Sequence, residues 1–164
     1  MENIILIGMP SCGKSTVGVI LAKRLGYRFS DSDLLIQERE GMLLHQIIDE
    51  KGIDGFLKIE NDVNKSLSFT KTVISTGGSV VYCDEAMEHL KKIGKVVYID
   101  ISYETLVRRL GDYSHRGVII KSGSTLYDMY KERQALYEKY ADITVKIADG
   151  DDICESMDKL LESL

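Results

Sequence analysis

The sequence predicts an α/β protein built on a five-stranded parallel sheet with helices on both faces. Three observations carry that prediction. Short runs rich in apolar residues recur at 3–7, 27–30, 72–75, 95–99 and 143–147. Stretches with helical spacing separate them, so strand and helix alternate. The main runs are apolar along their length instead of alternating, the pattern of strands buried on both sides.

The elements follow in order. Residues 3–7 (N-I-I-L-I) form a branched apolar run that ends at glycine, a buried strand. Residues 14–25 form a helix, with Val17, Leu21 and Leu25 on one face and Gly26 as its stop. A short extended piece at 27–30 leads to Asp31-Ser32-Asp33. Helical spacing resumes at 34–36, 43–48 and 56–67. The strand at 72–75 ends in Thr76-Gly77-Gly78, and a helix at 84–93 precedes the strand K-V-V-Y-I at 95–99. Residues 103–110 are helical. Between Gly111 and Gly123 the periodicity weakens and glycines frame a segment carrying His115 and Arg116, which reads as a flap. A long helix at 125–140, a strand at 143–147 and an amphipathic helix at 153–164 close the chain.

A chain of 164 residues without repeat, linker or low-complexity tract suits one domain, 1–164, with a lid at about 111–124. A net charge of −5 argues against a nucleic-acid partner, which favours a basic face. No apolar window approaches a membrane span, and the N-terminal apolar run lacks the basic flank of a signal peptide. Cys12, Cys83 and Cys154 are too few and too scattered for a disulfide framework or a metal site. The expectation is a monomeric cytoplasmic protein with free thiols and no membrane partner.

The segment G-M-P-S-C-G-K-S, residues 8–15, fits G-x-x-x-x-G-K-[ST], with an apolar strand before it and a helix after it. That context weighs against a chance glycine turn and predicts the P-loop NTPase fold. Gly8 and Gly13 let the backbone turn so that N–H groups converge at a helix N-terminus and bind an anion. Gly8, Ser11, Cys12, Gly13, Lys14, Ser15 and Thr16 are therefore the candidate nucleotide contacts. Lys14 would reach the β- and γ-phosphates and Ser15 would ligate Mg²⁺. The motif specifies a nucleoside triphosphate and magnesium without separating a kinase from a GTPase or a motor.

Three features favour a small-molecule kinase. The chain leaves little room for a motor or switch apparatus. No N-K-x-D guanine-reading motif follows a strand. Asp31 and Asp33, two apart at the expected end of an extended piece, would face one side, one supporting the metal and the other meeting an acceptor hydroxyl. The competing reading of Asp31-Ser32-Asp33 is a helix N-cap before Leu34.

In order and spacing, G-M-P-S-C-G-K-S-T-V-G, F-S-D-S-D, S-T-G-G-S-V, the pair Arg109 and Arg116, and E-R-Q-A-L-Y-E-K-Y-A-D resemble the shikimate kinases of the nucleoside-monophosphate-kinase-like P-loop group. The resemblance spans nearly the whole chain. It implies phosphoryl transfer from ATP to a hydroxyl of shikimate, giving shikimate 3-phosphate, a step of aromatic amino acid biosynthesis. It also implies roles: Asp31 orients the magnesium shell, Asp33 binds the acceptor hydroxyls and takes the proton, and Gly77 and Gly78 bring backbone amides to the acceptor. Arg109 would pack on adenine, Arg116 would close on the phosphates from the lid, and Arg133 would grip the acceptor's carboxylate. The bland alternative for each arginine is a solvated helix face or a surface ion pair.

The chain departs from the family at the acceptor site and lid. Where the family has F-R-x-x-E, with a second arginine for the carboxylate, this chain has Phe56-Leu57-Lys58-Ile59-Glu60. Lys58 is rotated about a quarter turn from that position and is the candidate substitute, though it cannot make a two-pronged bond. A lost partner for a buried carboxylate costs about 1–3 kcal/mol. Ser79 stands at the third position of a three-glycine turn, where its hydroxyl can donate a new hydrogen bond. Arg116-Gly117 and Gln134-Ala135 lack the usual prolines. The rival readings are a kinase of the same fold for a sugar acid, another polyol acid or a nucleotide, and a nucleotide-binding regulatory domain without transfer. His45, His89 and His115 show no metal-ligand spacing, and Tyr127, Tyr130, Tyr137 and Tyr140 are expected to pack along one helix.

Overall fold

The structure, a computed structural model, describes residues 3–111 and 117–164. Five strands, β1 (Asn3–Gly8), β2 (Arg28–Asp31), β3 (Thr72–Ser75), β4 (Gly94–Asp100) and β5 (Ile143–Lys146), form one sheet in the order β2-β3-β1-β4-β5. Every neighbouring pair is parallel. β1 lies at the centre and is buried along its whole length, as are Val96 to Ile99 of β4, which explains the unbroken apolar runs. Helices α1 (Lys14–Leu25) and α7 (Ile153–Ser163) pack together on one face. On the other lie α3 (Leu44–Lys65), α4 (Asp84–Ile93) and α6 (Leu126–Tyr140). Two shorter helices, α2 (Ser32–Glu40) and α5 (Tyr103–Leu110), complete the set.

From β1 the chain runs outward to β2, returns to β3, and then crosses to β4 on the opposite side of β1. Connections diverge at the carboxyl end of β1, the place where parallel sheets of this kind leave a crevice. Loops at that end carry residues 9–13, 76–79 and 101–102.

The base of the sheet is tied by one buried side chain. Asn3 donates through Nδ2 to the carbonyls of Phe69 (2.6 Å) and Ile93 (2.9 Å), and its Oδ1 accepts from Thr72 N (3.0 Å). It thus fixes the starts of β3 and β4 against β1. Asn3→Ala would strand three backbone groups, each costing about 1–3 kcal/mol if left unpaired. The expected result is a melting temperature lower by roughly 5–15 °C, read by thermal denaturation.

The sequence-based elements differ from the structure in three places. The helical stretches at 43–48 and 56–67 belong to one element, α3, interrupted at Gly52, whose φ of 71° and ψ of 177° no helix accommodates. A 3-10 turn at Val80–Tyr82 was not signalled by any periodicity. Asp31 and Asp33 do not share a strand: Asp31 ends β2 and caps α2, accepting from Asp33 N at 3.0 Å, and Asp33 sits in the first helical turn. Side chains two apart alternate back only on an extended backbone, and the cap ends the extension at Asp31. Of the expected lid, residues 112–116 lie outside the described residues, and 117–124 form no helix or strand. Among the described residues no helix is long and apolar enough to cross a membrane.

Candidate active site

The phosphate loop is shaped by backbone conformations its sequence permits. Gly8 has φ 150°, and a Cβ there would stand 2.6 Å from the Ile99 carbonyl oxygen, so β1 and β4 close on a position only glycine fits. Ser11 (φ 62°) and Gly13 (φ 98°) turn through the left-handed region. Gly13 begins α1 without a side-chain cap, so the first N–H groups of that helix are left for an anion. Lys14 is buried, and its Nζ donates to the carbonyls of Gly8 and Met9, both at 2.9 Å, and lies 3.6 Å from Cys12 Sγ. Ser15 Oγ donates to Asp31 Oδ2 at 2.6 Å and lies 3.1 Å from Ser75 Oγ. This cluster of hydroxyl and carboxylate oxygens is the hard-donor set that Mg²⁺ prefers.

The loop opens onto a cavity of about 390 Å³. Its floor is Pro10, Ser11, Gly13, Lys14, Ser15 and Thr16, and its far wall is Asp33, Phe56, residues 76–79 and Arg133, with Leu44 and residues 117–119 over it. Burial, reinforced by the Asp31 charge and opposed by Lys14, raises the Asp33 carboxyl from the ordinary value to about 6. Arg133 is 1% exposed. Its Nη2 donates to the Ile119 carbonyl at 2.6 Å, and its Nε has no hydrogen-bond partner among the described residues. The guanidinium also stands 5.4 Å from the centre of the Tyr82 ring. A Cβ on Gly78 would meet Arg133 Nη1 and Pro10 Cδ, each at 3.0 Å. That contact shows how closely the backbone approaches both walls.

Most of the sequence-based candidates therefore meet in one space. Ser11, Gly13, Lys14, Ser15, Thr16, Asp33, Gly77, Gly78, Ser79 and Arg133 all line the cavity. Gly8 and Cys12 contact the Lys14 side chain from behind it, and Asp31 joins through Ser15. Arg109 lies outside the lining and donates through Nη1 to the Cys12 carbonyl at 3.4 Å, against the back of the phosphate loop. Arg116 lies outside the described residues. Lys58 is not brought to the cavity: it is exposed, because Phe56 and Leu57 turn toward the interior and the next residue is carried round the helix to solvent. Ser79 is present, but its hydroxyl is spent internally, donating to Glu60 Oε2 at 2.6 Å.

Two positions named in the sequence were given no role at the site. Glu60 is fully buried at the acceptor wall. Its signal was available: an acid on the face of α3 that otherwise presents Phe56, Ile59 and Val63. Tyr137, expected only to pack, stacks on Tyr98 with ring centres 5.0 Å apart and also donates to the Gly78 carbonyl at 2.6 Å. It braces the glycine turn from below.

Comparison with known proteins agrees with this geometry. The family model described as "Shikimate kinase" matches residues 10–164. Shikimate kinase from Aquifex aeolicus (strain VF5) is 40% identical over 145 residues, covering 88% of this chain and 86% of the relative. That of Clostridium botulinum (strain Alaska E43) is 34% identical over 165 residues, 98% of each chain. Among solved structures, shikimate kinase from Acinetobacter baumannii in complex with shikimate superposes with a TM-score of 0.87 at 31% identity, covering 99% of this chain and 90% of that one. A gluconokinase from Sinorhizobium meliloti, 20% identical with a TM-score of 0.55, shares the fold.

Proposed function

Because the chain belongs to the shikimate kinase family, we propose that it transfers the terminal phosphoryl group of MgATP to a hydroxyl of shikimate. The observation that carries this reading is the single cavity in which Lys14 and the Ser15–Asp31 pair face Asp33 and Arg133. Phosphate-loop and acceptor groups share one space, as direct transfer requires.

The uncapped start of α1 and the Ser15–Asp31 oxygens fit a triphosphate and its metal. When bound, Mg²⁺ neutralises charge on the phosphate oxygens. Lys14 adds a buried cation to the same region. Asp33 orients the attacking hydroxyl and accepts its proton as the oxygen bonds to phosphorus and the bond to ADP breaks. Arg133, a cation of the cavity wall, meets the acceptor's carboxylate, and Phe56 and residues 117–119 wall the space in which transfer takes place. Arg109 and Arg116 keep the roles of adenine contact and lid arginine as part of the proposal. The enzyme is read as a cytoplasmic monomer.

The test is coupled ADP release with MgATP, with and without millimolar shikimate. Stimulation by shikimate is expected. Unstimulated turnover, with MgATP binding intact, would overturn the acceptor assignment. A second reading, a kinase of the same fold for another hydroxylated acid, is favoured by one observation: Leu57 packs against the core where the family has an arginine, leaving Arg133 as the one guanidinium of the described cavity wall. A panel of small hydroxylated acids in the same assay separates the two.

A further inference from the structure

Glu60 is enclosed in the protein, and among the described residues it forms no ion pair. Its Oε2 accepts from Ser79 Oγ at 2.6 Å, and its Oε1 has no partner among the described residues. A Cβ built on Gly77 would stand 2.5 Å from Glu60 Oε1 and 2.8 Å from Asp33 Oδ1. The two acids therefore flank the same backbone point on the cavity wall. Among the described residues, four titratable groups face Glu60: Asp33 from α2, Arg133 from α6, Lys14 from the start of α1, and the Cys83 thiol beyond the 3-10 turn. Neither cation is paired with it: Arg133 is bonded to Ile119, and Lys14 to the carbonyls of Gly8 and Met9. Position 57, one turn of reach from Glu60 on α3, carries leucine. A bare carboxylate in such a place is costly, whereas a neutral acid held by a hydroxyl is not.

We propose that Glu60 is a positioning residue that works in its neutral form: clamped by Ser79, it spares the acceptor end a second negative charge beside Asp33, and loss of its proton weakens binding of an anionic acceptor. Burial is the main influence on this group and raises its proton affinity to a value of about 8, with the Asp33 charge adding to the rise and Ser79, Arg133 and Lys14 opposing it. Ser79 is thus the device that sets both the place of Glu60 and the pH at which it ionises. The identity of the acceptor rests on the function proposed above; the ionisation of Glu60 does not.

The test compares the whole enzyme with Glu60→Gln and Ser79→Ala. With shikimate as the varied substrate at saturating MgATP, wild-type KM is expected to rise about tenfold per pH unit above a midpoint near 8, while kcat changes less. Glu60→Gln, which cannot ionise, should abolish that rise. Ser79→Ala, which removes a bond favouring the charged form, should move the midpoint upward. A second readout needs no acceptor. The folded-state value of Glu60 lies above its unfolded one, so its contribution to stability is complete at acid pH and is lost as pH rises through about 8. Thermal melting from pH 5 to 9 should fall more steeply for wild type than for Glu60→Gln. Parallel melting curves, or a KM rise that persists in Glu60→Gln, would overturn the proposal. If shikimate elicits no turnover at any pH, the acceptor assignment falls and the melting curves decide the state of Glu60 by themselves.

Discussion

Asp33→Asn is expected to lower kcat by about 10²- to 10⁴-fold, the usual contribution of a positioned general base, with MgATP affinity within about twofold of wild type. The asymmetry follows from where the groups sit. Asp33 lines the acceptor wall, while the oxygens beside the phosphate loop are those of Ser15 and Asp31. Asparagine keeps the size of the side chain and the N–H of residue 33 that bonds Asp31, so the cap of α2 survives. What it loses is the capacity to accept a proton. Single-turnover measurement of phosphoryl transfer, set beside MgATP binding by calorimetry, checks the prediction. A kcat within about tenfold of wild type would remove Asp33 from the proton-accepting role.

Arg133→Lys is expected to raise the shikimate KM about 10- to 100-fold and to leave MgATP binding nearly unchanged. The guanidinium already commits Nη2 to the Ile119 carbonyl while the side chain lines the cavity. An ammonium is a point charge on a flexible stem and cannot hold that carbonyl and a carboxylate in a fixed fork. Lysine keeps the charge, so the change separates geometry from charge. It also avoids emptying a site where arginine is among the largest fully buried side chains. Saturation kinetics in shikimate at fixed MgATP give the answer. An unchanged KM would mean that the acceptor's carboxylate lies elsewhere.

What could be read from the sequence divides along contiguity. The phosphate loop is eight consecutive residues whose backbone turns, helix start and lysine are all local, so residues 8–15 announce their chemistry without any tertiary information. The acceptor wall is different. Asp33, Glu60, Gly77 and Arg133 come from four separate segments and meet only when the sheet and helices close. Resemblance to a family supplied Asp33, Gly77, Gly78 and Arg133, but the burial of Glu60 and its bond to Ser79 depend on α3 lying against the turn after β3. Lys58 shows the limit of spacing arguments: one residue of helix was enough to carry a suitable cation to solvent. The Asp31–Asp33 pair shows another, since the same residues support an extended reading and a cap, and only the tertiary setting of β2 decides.

The central place of β1 has a consequence for how the chain comes to be folded. β1 precedes the other four strands of its sheet in the chain, yet its two neighbours in the sheet are Thr72–Ser75 and Gly94–Asp100. Until residues 72–75 and 94–100 have emerged, Ile4-Ile5-Leu6-Ile7 lacks both of its neighbouring strands, and its branched apolar side chains remain uncovered. Pairings of such long sequence separation form slowly, because loop closure must precede the contacts that reward it. An emerging chain of this kind is most prone to aggregation before β4 is complete. The same strand that makes the finished molecule's core is the segment a growing chain most needs to keep shielded.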